Sequence, residues 1–318
     1  MAHELMEHDN MFSVQETPWH GLGIILPNAP SIDDALRIAK LDWQVRMLPL
    51  YAQDPQNTLM PVDAHKAIQR EDTGEIFTVT SKYYTPLQNA EAFDVFRPLV
   101  EDGSIELETA GSLQNGRKVW ILAKIATTDA MEVRDGDTIK PYVLLSNSHD
   151  KSQPVRFGFT PVRVVCNNTL SWAQSASESR LIRIYHRGNI KENLDALRSA
   201  LDATNAEFRM GIDKFRKLAK GRVNQEDLTA YIRTVLETED ETPRERAIME
   251  VLLNGKGLGV RPQDQISWWD AYNAINEWML YQRGRNVDNR LASAWFGDGY
   301  LLDQRAFMIA DAFMAKAA

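Results

Sequence analysis

Apolar residues alternate with polar ones through much of the first half of the chain and recur every three or four positions through most of the second. A period of two marks a half-buried strand, and a period near 3.6 marks an amphipathic helix. The early chain therefore predicts strands and the late chain helices. Ser31, followed by Ile32, Asp33 and Asp34, predicts a capped helix over residues 31–39. Residues 43–51 read as a strand and 52–61 as a loop. Residues 66–70 and 75–80 flank Asp72-Thr73-Gly74, a hairpin signal. Over residues 88–101, Ala92, Phe93, Phe96, Leu99 and Val100 share one helical face; Pro98 weakens the last turn and Gly103 ends it. Residues 104–113 and 117–125 are strands joined by Gln114-Asn115-Gly116, in which Asn-Gly is the strongest hairpin turn signal of the chain. Residues 139–146 and 154–159 follow as strands. Residues 1–16 read as a loosely packed arm.

The pattern turns at residues 157–174, F-G-F-T-P-V-R-V-V-C-N-N-T-L-S-W-A-Q. These predict a strand running into a buried helix, with Thr160 as N-cap and Pro161 at the first helical position, where its missing N–H costs nothing. Val162, Val165, Leu170 and Trp172 supply apolar faces. Asn167 and Asn168 are costly in such a run unless hydrogen-bonded, so they either bridge neighbouring backbone or face a ligand. Residues 180–187 read as a basic strand or linker. Over 189–220, Leu194, Leu197, Leu201, Phe208, Ile212, Phe215 and Leu218 recur at helical spacing, and 224–236, 244–253, 267–282, 290–296 and 301–316 continue as helices. The expected fold is α+β: an antiparallel β-hairpin sheet packed on helices over residues 1–187, then an all-helical C-terminal domain over 188–318.

Composition excludes several classes. No run of about 18 apolar residues is present, so no transmembrane helix is expected. The N-terminus is polar and acidic, unlike a secretory signal. A single cysteine, Cys166, rules out an internal disulfide and a multi-thiolate zinc site, and fits a cytoplasmic protein. Charge changes the picture more. Lys151 to Arg222 hold 14 Lys and Arg against 6 Asp and Glu, a local +8 inside a chain of net −8. That asymmetry is either an electrostatic footprint or the solvated face of a long helix.

The segment T-P-V-R-V-V-C-N-N-T-L over 160–170 resembles the signature of the phage/plasmid-like protein family, a domain-of-unknown-function family common on mobile elements. T-P-W-H-G-L-G (17–23), Y-T-P-L-Q-N-A-E-A-F (84–93), A-G-S-L-Q-N-G-R-K-V-W (110–120), W-D-A-Y-N-A-I-N-E-W (269–278) and S-A-W-F-G (293–297) are similar to the same family. The resemblance implies a phage or plasmid origin, hence the host cytoplasm, and brings no activity with it.

Chemistry must therefore come from the residues. Neither a metal nor a cofactor is expected: the six histidines form no ligand pair at helical spacing, and no phosphate loop or nucleophile elbow is present. Cys166 could serve as a nucleophile with His20, His149 or His186 as base, although its valine neighbours point to simple burial. Nucleic-acid binding needs cations for phosphates and aromatics for bases. The candidate residues are Arg156, Arg163, Asn167, Asn168, Arg180, Arg183, Tyr185, Arg187 and Lys191, with Tyr83, Tyr84, Phe157, Phe159 and Trp172 nearby. A hairpin sheet backed by a helix with a basic edge is similar in layout to the single-strand annealing recombinases. The leading expectation is a phage or plasmid DNA-metabolism protein that binds single-stranded DNA without catalysis, as a homo-oligomer. The alternatives are a cysteine/histidine enzyme and an oligomeric interaction protein, such as a host-defence antagonist.

Overall fold

A computed structural model describes residues 10–15, 23–126, 130–163, 168–169, 182–184, 204–253, 266–283, 293 and 298–317. The class is α+β, with the helices concentrated at the C-terminal end. The described elements run β1 (Met11–Val14), β2 (Ile24–Leu26), α1 (Ile32–Ile38), β3 (Val45–Gln53), β4 (Leu59–Arg70), β5 (Ile76–Ser81), α2 (Asn89–Asp94), α3 (Arg97–Glu101), β6 (Ile105–Leu113), β7 (Lys118–Ile125), β8 (Met131–Arg134), β9 (Asp137–Ser148), β10 (Val155–Arg163), β11 (Asn168–Thr169), β12 (Ile182–Ile184), α4 (Thr204–Lys220), α5 (Gln225–Leu236), α6 (Pro243–Leu253), α7 (Trp268–Tyr281) and α8 (Asp298–Ala317).

The large sheet has the order β11-β10-β9-β7-β6-β1-β2, with β12 also paired to β10 and β8 to β9. All its pairings are antiparallel except β1 with β2. Asn115 and Gly116 adopt positive φ in the β6–β7 turn, as the Asn-Gly signal requires. A second sheet holds β3, β4 and β5. It packs with α1, α2 and α3 on one face of the large sheet around Phe12, Trp43, Ile68, Phe77, Phe93, Phe96, Ile121, Leu145 and Phe157. The centre of β7 is buried on both faces: Val119 and Ile121 look into that core, while Trp120 and Leu122 are buried on the other side. Ser31 caps α1 as expected, its Oγ accepting from the Asp34 N–H.

A second core belongs to the helices. Phe215 of α4, Tyr231 of α5, Ile248 of α6, Trp268, Trp269 and Tyr272 of α7, and Phe307 of α8 meet there, together with Val133 and Ile139 from β8 and β9. The division expected after residue 187 lies outside the described residues. The β8–β9 hairpin joins the two halves. Arg134 Nη1 lies 2.6 Å from Asp270 Oδ1, and Trp269 Nε1 donates to Asp137 Oδ2 at 2.8 Å. Asp270 also completes a capping box with Ser267 at the start of α7, so one carboxylate both opens the helix and docks it.

Four expectations need correcting. Thr160 and Pro161 do not cap and open a helix; they lie within β10, opposite Tyr142 and Pro141 of β9. The β-branched run and the partner strand outweigh a local cap signal. Pro161 and Pro141 stand directly opposite, so both missing N–H groups fall on one rung of the ladder. The supposed N-terminal arm contains β1, whose four residues are all buried. Most of the expected 52–61 loop is hairpin, with β3 and β4 joined by a turn at Asp54, which accepts from the Gln56 and Thr58 N–H groups. The helix expected over 88–101 is two short helices, because Pro98 cannot donate to the preceding turn. Strand β8, over which the sequence predicts no element, is an addition rather than a correction.

Candidate nucleic-acid interface

Strand β10 is built by alternation. Val155 and Phe157 turn into the first core, which leaves Arg156 on the opposite face, half-buried beside Ser146 of β9. The partner strand β12 places Arg183 directly opposite Arg156. Farther along, β11 places Asn168 opposite Arg163. Directly opposed residues of an antiparallel pair share a face, with Cβ atoms about 5 Å apart. The register thus sets two arginine positions against each other at one end of β10, and an arginine position against an asparagine position at the other. Asn168 lies on a strand rather than on the expected buried helix, because its pairing with Arg163 folds the chain back along β10.

Asn167, Arg180, Tyr185, Arg187 and Lys191 lie outside the described residues, as do Cys166, Trp172, His20 and His186. Of the aromatics invoked for base stacking, Tyr83 is exposed and carries the Lys82 ammonium 5.3 Å from its ring centroid. Tyr84 is half-buried, its hydroxyl 3.4 Å from the Ser148 carbonyl, and burial pushes its phenol well above the ordinary value, with Asp150 adding to the effect. Phe157 is spent in the core, where it packs on Phe96 at 5.8 Å, so it offers no face to a base.

The remaining candidate for acid–base work, His149, is sealed. It is 1 % exposed, its Nε2 lies 2.9 Å from Asn89 Oδ1, and Trp43 and Phe77 pack against its ring at 5.1 and 6.1 Å. Around it runs a seam between the two sheets. Arg70, buried beneath the β6–β7 turn, holds Asp72 through two hydrogen bonds, donates to the Asn115 carbonyl and lies 4.3 Å over the Trp43 ring. Arg117 makes the parallel bridge to Glu75 and the Phe77 carbonyl. This network fastens the small sheet to the large one.

Among the described residues no group of three His, Cys, Asp or Glu could hold a metal ion, and no helix is long and apolar enough to cross a membrane. A second cationic cluster stands outside the segment singled out by charge counting: Arg244, Arg283 and Arg305 line one pocket in the helical half. They come from α6, the end of α7 and α8, so no local motif could have announced them.

No curated protein and no solved structure matches the chain. The family described as domain of unknown function DUF932 matches residues 76–295, from β5 through the end of α7 and beyond. That span covers more than half of the sequence and takes in the small sheet's last strand, the candidate interface and most of the helical half, and on this ground the chain belongs to the DUF932 family.

Proposed function

We propose that this protein binds single-stranded nucleic acid along β10 and its partner strands without catalysing a reaction, as a strand-annealing recombination protein of a phage or plasmid would. The observation that carries the reading is the register that sets Arg183 opposite Arg156. Two arginine positions directly opposite one another on a strand pair offer neighbouring cations to a phosphate backbone. The surrounding +8 segment extends the same field along the chain. Such binding is insensitive to sequence and weakens steeply with salt, by roughly 0.7 in the log–log slope per neutralised phosphate. Gel shifts of an unstructured oligonucleotide across salt should show Arg156→Ala and Arg183→Ala weakening binding for every sequence and flattening the slope. A protein that fails to shift single strands even at about 50 mM salt, where phosphate contacts are strongest, ends the proposal.

A second reading, an oligomeric interaction protein, has one observation in its favour. The β3–β4 hairpin leaves Tyr51, Leu59 and Met60 about half exposed or more near its end. Sedimentation of Leu59→Asp beside wild type tests it: a change of assembly state supports that reading, and identical profiles remove it.

A further inference from the structure

The pocket in the helical half has a volume of about 410 Å³ and is lined by Leu236, Arg244, Trp278, Arg283, Asp298, Leu301, Leu302 and Arg305. Three arginines face a single lining carboxylate. Arg305 pairs with Glu237 at the end of α5, but its Nε is buried without a hydrogen bond. Arg283 has neither an ion pair nor a side-chain hydrogen bond among the described residues, and its Nη1 is buried without a partner. Burial lowers the affinity of its guanidinium for the proton; Asp298 opposes the shift, while Arg244 and Arg305 reinforce it. A guanidinium kept half out of water beside two like charges is costly, and an anion bound among the three would offset that cost.

The geometry points to a binding site for a small organic phosphate, with the phosphate held by Arg244, Arg283 and Arg305 and the organic body packed against Trp278 and Leu301. Guanidinium groups match phosphate oxygens through paired N–H donors, and three of them line this one pocket. The apolar wall argues for more than an inorganic ion. The volume falls within the roughly 300–1,000 Å³ of small-molecule sites. Leu301 is 59 % exposed, as a residue at the mouth of a pocket awaiting an apolar partner would be. This site is separate from the β10 edge and does not rest on nucleic-acid binding there.

Calorimetry with phenyl phosphate, inorganic phosphate and phenol tests the assignment. Wild type should bind phenyl phosphate more tightly than inorganic phosphate and should not bind phenol. Arg283→Gln should weaken binding by at least about tenfold, equivalent to about 1.4 kcal/mol. Arg244→Gln should weaken it in the same direction, and because Arg244 is exposed this variant keeps the fold if Arg283→Gln does not. Both variants should shift single-stranded oligonucleotides as wild type does, which separates this site from the interface on β10. No heat with phenyl phosphate at about 5 mM, above the millimolar range of weak complexes, overturns the site. So does phosphate binding that gains nothing from the phenyl group, or binding that both variants retain. Loss of oligonucleotide binding in Arg244→Gln, with phenyl phosphate inert, would reassign the arginines to nucleic acid and overturn it as well.

Discussion

Arg70 is 3 % exposed, and a charge so deeply placed needs partners. It has the Asp72 carboxylate, the Asn115 carbonyl and the Trp43 ring. Hydrogen bonding to Arg70 holds the Asp72 carboxyl below its ordinary value. A carboxyl depressed on folding adds stability above its unfolded value, near 3.9, and that stability is lost as pH falls through the folded value. Asp72→Asn should therefore melt below wild type at about pH 7, and the two melting temperatures should converge as the pH drops below about 3.9. Close approach of the backbone sets the other constraint at this scale. A Cβ at Gly111 would stand 2.5 Å from Met11 Cβ and 2.7 Å from the Asn10 carbonyl oxygen, and backbone cannot yield as a side chain can. Gly111→Ala should cost roughly 1–3 kcal/mol in urea unfolding, the usual range for overpacking. An unchanged midpoint would show that β1 is not held against β6.

At the scale of elements, β1 is the sharper test. Four residues of an acidic, polar N-terminal stretch pair with β6 and with β2, and Phe12 is fully buried. Phe12→Ala should cost about 3–5 kcal/mol. A loosely packed arm would make the substitution silent, so chemical denaturation distinguishes the two cases. Strand β10 shows the same competition in another form. Thr-Pro is a helix-start signal locally, but the edge of β9 beside it offers a ladder of hydrogen bonds interrupted only where the two prolines meet, and eight residue pairs form from Arg156↔Ser146 to Arg163↔Ile139. Short-range preference of a few tenths of a kcal/mol per residue does not outweigh such pairing.

The described residues form two large cores, and β9 belongs to both: Val143 and Leu145 lie in the first, Ile139 in the second. The hairpin that carries Ile139 is fixed to α7 by a nearly buried cluster of Arg134, Asp137, Asp270 and Trp269. Removing one member of a buried ion pair strands the other charge, which typically costs about 3–5 kcal/mol. Arg134→Met should lower stability by that order and loosen the helical half first, giving faster hydrogen exchange in α7 than in β7. Equal effects in both would mean that the two cores unfold as one unit.

Local patterning determined the elements whose own residues settle them. Ser31 caps α1 and Asn115-Gly116 turns β6 into β7, because capping and positive φ are decided within a few residues. The helices of the second half were legible for the same reason: α5 and α8 each bury a 3.6-residue stripe that needs no knowledge of its partner, and α7 is apolar enough to be buried almost all round. Pairing across the chain was not legible. The strand character of Thr160 and Pro161 depends on β9, the burial of Met11–Val14 depends on β6, and the loss of Phe157 to the core depends on which face β10 presents. The basic segment could be counted along the sequence, but only the register sets Arg183 against Arg156. Arg244, Arg283 and Arg305 lie far apart in the chain, and tertiary packing of three helices, rather than any spacing between them, makes them lining residues of one pocket.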